Sequence, residues 1–223
     1  MSLDSASFAS RIDHTNLRLD ATRTDIERLC DEAVEYGFYS VMVYPTSVPL
    51  CVERLQGSGV KVGTVIGFPC GRFDVSSKLT GVIIASDQGA DEVDVVMNYA
   101  MLRDGDLDYV REELEEISDC THDEKRFLKV IVETCYLTRE QRLQALTLCE
   151  EACVDMIKTS TGFGSAGASV EHIREWVAAR KGNIQIKAAG GIRTLPDALA
   201  LIEAGADRIG ASAAVDFMRN FSA

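Results

Sequence analysis

A short recurring pattern narrows the fold of this sequence more than any other feature. A residue that stops a helix is followed, two or three positions on, by an apolar run. Gly89-Ala90-Asp91-Glu92-Val93-Asp94 and Gly205-Ala206-Asp207-Arg208-Ile209-Gly210 carry it most clearly. Gly37-Phe38-Tyr39-Ser40-Val41-Met42 follows it, and so does Cys153-Val154-Asp155-Met156-Ile157-Lys158 with cysteine for glycine. Gly182-Asn183-Ile184-Gln185-Ile186-Lys187 and Gly59-Val60-Lys61-Val62-Gly63-Thr64 fit more loosely. Each instance predicts a helix end and a strand start.

Strands are expected near 11–15, 39–44, 60–66, 92–97, 127–132, 154–158, 184–188 and 208–211. Helices are expected near 22–36, 49–56, 75–88, 107–117, 138–152, 170–180, 195–203 and 213–220. Thr24 is a candidate cap for the first of these, and Thr138 with Gln141 reads as a capping box. Eight strands alternating with eight helices require parallel pairing and helical crossovers. In 223 residues that favours a single closed (β/α)8 TIM barrel spanning 1–223, with no linker dividing it. An open doubly wound sheet is the alternative, but no GxGxxG follows the first strand.

Strand side chains alternate, so equivalent positions in the pattern face the same way. The sixth position holds Met42, Thr64, Asp94, Lys158, Lys187 and Gly210. Three of these six are ionisable, where a purely structural barrel interior carries branched aliphatics. Lys129 and Glu133 share a parity on the fifth strand and are candidates to join the layer. Buried lysine and aspartate are rare unless paired or functional. An ion-pair network that merely closes the barrel is the structural alternative.

Two neighbouring lysines repel, and the relief is for one to lose its proton. An unperturbed lysine, with a pKa near ~10.4, is well under 1% neutral at neutral pH. A pKa near about 7 makes roughly half of it a free amine, which attacks carbonyls and forms a Schiff base. Asp94 is the candidate proton shuttle for such chemistry. The residues alone do not choose between Lys158 and Lys187 as nucleophile. They also leave open an imine-free phosphosugar isomerase or lyase working through Asp94, a pyridoxal phosphate enzyme, and a silent barrel that only binds a phosphorylated metabolite.

The loops after these strands are rich in glycines and hydroxyls. Lys158 leads into Thr159-Ser160-Thr161-Gly162, Lys187 into Ala188-Ala189-Gly190-Gly191, and Gly210 into Ala211-Ser212. In a barrel the three loops share the C-terminal face, where phosphates commonly bind on backbone N–H groups and helix N-termini. Such a site must be made locally, because the formal net charge is −12. That charge also disfavours nucleic acid and anionic membranes as partners.

No leader pattern and no run of about 18 apolar residues is seen, so a cytoplasmic protein is expected. The seven cysteines show no CxxC or Cys/His spacing and are read as reduced small apolar residues. His14, His122 and His172 are scattered, and no metal site or cofactor is expected. A hydrophobic barrel exterior makes a homodimer or homotetramer the expected assembly.

The stretches KTSTGFG at 158–164, KAAGGIRT at 187–194 and GADEVDVV at 89–96 closely resemble the 2-deoxyribose-5-phosphate aldolase family. Asp13-His14-Thr15 and Gly210-Ala211-Ser212 extend the likeness to about residues 11–218. The resemblance implies a class I, metal-free aldolase that reversibly cleaves 2-deoxyribose 5-phosphate to glyceraldehyde 3-phosphate and acetaldehyde. It implies Lys158 as the Schiff-base lysine, Lys187 as the partner that lowers its pKa, and Asp94 as the proton-shuttling carboxylate. Thr161, Gly162, Gly190, Gly191, Gly210 and Ser212 match substrate and phosphate-binding positions. Phe163 stands where some members carry a lysine, and Met42 where some carry a cysteine.

Overall fold

The apolar runs after the helix stops are strands. The computed structural model describes residues 4–221. The strands are β1 (Ile12–Thr15), β2 (Ser40–Val43), β3 (Lys61–Ile66), β4 (Glu92–Val96), β5 (Phe127–Ile131), β6 (Met156–Lys158), β7 (Gln185–Ala189) and β8 (Arg208–Ala211). They close into a barrel in chain order, with β8 paired to β1 and every pairing parallel. The open sheet is thereby ruled out.

Ten helices are seen among the described residues. They are α1 (Ser5–Ala9), α2 (Arg23–Tyr36), α3 (Val48–Arg54), α4 (Val75–Asp87), α5 (Tyr99–Asp104), α6 (Leu107–Asp123), α7 (Arg139–Glu151), α8 (Val170–Ala179), α9 (Leu195–Glu203) and α10 (Ala214–Phe221). α7 starts as expected, with Thr138 and Gln141 bonded reciprocally. α2 is capped by Thr22, not Thr24, because Asp25 lies three residues beyond Thr22 and completes a capping box. α6 runs past its expected end at 117 to Asp123, with Thr121 buried and its hydroxyl donating to the Ile117 carbonyl. Short α1 and α5 have too few turns to show a hydrophobic period. Cys153, standing for glycine in the repeat, takes the same left-handed turn (φ 56°).

The large apolar core lies outside the barrel, between strands and helices. Val93, Val95, Leu128, Ile157 and Ile186 point outward into it, with Trp176 fully buried among the helices. A smaller apolar group, Leu17, Met42 and Val65 with Tyr44 and Phe68 against it, forms a separate cluster. The opposite parity of β1 and β4–β8 fills the barrel with charge. One strand departs from the expected register. Thr64 faces outward and bonds the Val43 carbonyl, while Val65 stands beside Asp94. β3 begins two residues after Gly59, where β2, β4, β6, β7 and β8 begin three after their stop. No helix among the described residues is long and apolar enough to cross a membrane.

Candidate active site

Parallel pairing puts Asp94 beside Lys129 and Lys158 beside Lys187. All four are buried inside the barrel. Lys158 Nζ lies 2.6 Å from Asp94 Oδ2, and Lys187 Nζ lies 2.9 Å from the same oxygen. Lys129 Nζ takes the other carboxylate oxygen at 2.9 Å. The three expected catalytic residues therefore meet on one carboxylate, and Lys129 joins them. Glu133 does not. It follows β5 in a left-handed turn (φ 54°) and accepts from both the N–H and the hydroxyl of Thr161.

Burial pushes the Lys158 ammonium down to about 8, with the Asp94 carboxylate opposing and Lys187 and Lys129 assisting. Burial alone would raise the Asp94 carboxyl, but the three ammoniums around it hold it well below the usual carboxylate range. Burial would lower Lys129, yet Asp94, Glu92 and Asp13 outweigh it and hold its proton more firmly than usual.

Only Lys158 of this cluster lines the cleft, among the described residues. The cleft is about 720 Å³ and opens on the C-terminal face, where the loops after β1, β6, β7 and β8 meet. Thr161, Gly162, Gly190, Gly191, Gly210 and Ser212 all border it. Their arrangement differs from six equivalent loop contacts. Thr161 is turned toward Glu133 by both of its donors. Gly210 is part of β8, and a Cβ there would sit 3.0 Å from the Lys187 stem, so its glycine makes room for that lysine. Gly190 has φ +84°, and a Cβ on it would lie 3.2–3.3 Å from Ser160, Gly162 and Gly167. Gly167 is closer still, since its Cβ would overlap the Gly190 carbonyl at 2.0 Å. Phe163 sits on the rim, half exposed, edge-on to Phe68 at 5.3 Å.

Sequence reasoning missed Glu92 and Arg208, and Asp13 belongs to the same buried cluster. Asp13 is fully buried and binds Lys187, Arg208 (2.8 Å) and the Ser40 hydroxyl (2.8 Å). Glu92 pairs with Lys129. The signal was available: Glu92 and Arg208 occupy the fourth position of the same repeat, one inward-facing step before Asp94 and Gly210.

Comparison with known proteins gives the class first. A deoxyribose-phosphate aldolase from Aciduliprofundum boonei is 45% identical over 216 residues, covering 97% of each chain. One from Thermococcus gammatolerans is 49% identical over 210 residues, covering 93% of each. Among solved structures, the tetrameric deoxyribose phosphate aldolase of Aeropyrum pernix superposes with a TM-score of 0.92 at 31% identity, covering 99% of this chain and 93% of that one. The protein is thus an aldolase, a carbon–carbon lyase. More particularly, the chain belongs to the DeoC/LacD family of aldolases, whose family pattern matches residues 8–217.

Proposed function

We propose that this aldolase reversibly cleaves 2-deoxy-D-ribose 5-phosphate through a Schiff base on Lys158. The observation that carries the reading is the placement of Lys158. It is the cluster's lysine at the cleft, 2.6 Å from Asp94, with a pKa brought to about 8. At pH 7 roughly a tenth of it is the free amine. That amine attacks the substrate C1 carbonyl, and loss of water gives the iminium. The C3 hydroxyl then yields its proton, relayed to the Asp94 carboxylate, while the C2–C3 bond breaks toward the iminium, releasing glyceraldehyde 3-phosphate and leaving an enamine. Protonation at C2 and hydrolysis release acetaldehyde and restore the amine.

Asp94 is anionic at rest and holds Lys158 and Lys187 on one oxygen, and it carries the C3 proton transiently before returning it at C2. Lys187 also weakens the hold of Lys158 on its proton by like-charge repulsion. The phosphate is assigned to Gly162, Gly190, Gly191 and Ser212, near the start of α10, where backbone N–H groups and the helix dipole favour an anion. Thr161 and Gly210 shape that end of the cleft rather than bind by their own donors. The same reading places the protein in the cytoplasm, in deoxyribose and deoxyribonucleotide catabolism, as a homodimer or homotetramer of single-domain barrels. The tetramer of the Aeropyrum pernix relative supports the assembly.

The test is incubation with acetaldehyde, borohydride reduction and peptide mapping by mass spectrometry. An ethyl group on Lys158 is expected. An ethyl group on Lys187 would reverse the two lysine roles, and no site-selective adduct on folded protein would sink the imine.

A further inference from the structure

Six of the buried charges form a closed ring. Arg208 Nη1 lies 2.8 Å from Asp13 Oδ1, and Asp13 Oδ2 holds Lys187. Lys187 reaches Asp94 at 2.9 Å, and Asp94 reaches Lys129 at 2.9 Å. Lys129 pairs with Glu92, whose other oxygen is 3.8 Å from Arg208 Nη1. The signs alternate around the circuit, three cations against three carboxylates, so the ring is neutral. Lys158 is a seventh group attached to it through Asp94 alone. The charges facing Lys158 are therefore Asp94 from β4, Lys187 from β7 and Lys129 from β5. Behind them stand Asp13 of β1, Glu92 of β4 and Arg208 of β8, and Glu133 of the β5 loop is engaged with Thr161.

We propose that Arg208 and Glu92, on the far side of the ring from the cleft, are positioning residues that set the protonation state of Lys158. The proposal rests on Lys158 being the imine-forming lysine. In the closed, neutral ring Lys129 already sits on Asp94 Oδ1 and Lys187 on Oδ2, so Lys158 shares Oδ2 and has no carboxylate of its own. Arg208 keeps Asp13 and Glu92 occupied, so they do not draw Lys187 and Lys129 off Asp94. It is itself held in place, its guanidinium lying 3.4 Å from the centre of the Tyr39 ring. Removing the Arg208 charge leaves the ring at −1, which favours the ammonium form of Lys158. Removing the Glu92 charge leaves the ring at +1, and Lys158 is repelled further. The two changes act in opposite directions on one nitrogen.

The experiment is the pH dependence of Lys158 reductive ethylation by acetaldehyde and cyanoborohydride, read by peptide mass spectrometry. It compares the parent with Arg208→Gln, Arg208→Lys and Glu92→Gln. The parent midpoint is expected near 8. Arg208→Gln should move it up by about one pH unit, an approximately tenfold loss of labelling at pH 7. Glu92→Gln should move it down, and Arg208→Lys should stay with the parent. Two variants that shift the same way, or no shift in either, overturn the proposal. If Arg208→Gln does not fold, Glu92→Gln decides alone: an acid shift supports the ring, and an unchanged or alkaline midpoint overturns it. A parent that is not labelled at Lys158 overturns the imine reading and this proposal together, whereas a labelled parent with unshifted variants overturns only the ring.

Discussion

Two buried lysine clusters stand a short distance apart in this protein, and they are built to different rules. Outside the barrel, Lys78 of α4 and Glu113 of α6 face each other at 2.7 Å with no exposed surface on either side chain. Lys78 also donates to the Val96 carbonyl, and Glu113 accepts from the Asn98 N–H, both at 2.7 Å. One cation meets one carboxylate, and two further hydrogen bonds go to the chain leaving β4. Inside the barrel, four cations meet three carboxylates, and the surplus one borders a cleft. The lesson is that burial of a lysine does not mark chemistry. A balanced and fully bonded pair is a fastener, and an unbalanced one with access to a cleft is a reagent.

The hardest test of that distinction is Lys158→Ala. Turnover should fall to background while the unfolding transition stays cooperative, because the neutral ring remains intact. Lys158→Arg should fail as well, since a guanidinium keeps its charge and cannot form the imine. Activity in either variant would place Lys158 among the fasteners. Asp94→Asn comes next. The side chain keeps its shape but loses its charge, and the proton relay with it. A drop in kcat of about 10²- to 10⁴-fold is expected, the usual range for a positioned acid–base group. A kcat within threefold of the parent would remove Asp94 from the mechanism.

Lys78→Met should do the reverse. It strands Glu113, whose carboxyl burial already raises above its ordinary value. Losing one partner of a buried pair costs about 3–5 kcal/mol, measurable as a lower midpoint in urea. The folded enzyme should keep its kcat, and Lys78→Met combined with Glu113→Leu should recover much of the loss. A variant of full stability but low kcat would mean that the outer pair belongs to the reaction.

The two clusters were not equally legible in the sequence. The barrel cluster was visible because its members recur at fixed steps after a helix stop, so alternation alone put Asp94, Lys158 and Lys187 on one face. The same alternation failed at Thr64, where the turn into β3 is one residue shorter. It stopped one layer too early at Glu92 and Arg208, which needed only the next inward position. Glu133 shares the parity of Lys129, but its left-handed turn carries it out of the strand geometry on which parity depends. Lys78 and Glu113 had no signal. They lie on different helices, 35 residues apart, and only the packing of α4 on α6 joins them. Fold class needed only the count of alternating elements, whereas the contacts across helices depend on crossing geometry that no local pattern encodes.

The mildest prediction separates the surplus lysine by titration. With a folded-state pKa near 8, the free-amine fraction rises about tenfold per pH unit below 8 and levels off above it. Single-turnover imine formation should therefore gain roughly tenfold between pH 7 and its plateau. Stability carries a matching sign. Below pH 8 Lys158 is protonated both folded and unfolded, so the penalty of burying its charge is fully present. Between about 8 and ~10.4 the unfolded chain still binds the proton while the native protein has released it, so stability should rise with pH across that window. That rise should vanish in Lys158→Met, measured by urea unfolding at pH 7.5 and 9.5. An unchanged slope in Lys158→Met would assign the titration to another group and leave the barrel cluster as balanced as the pair outside it.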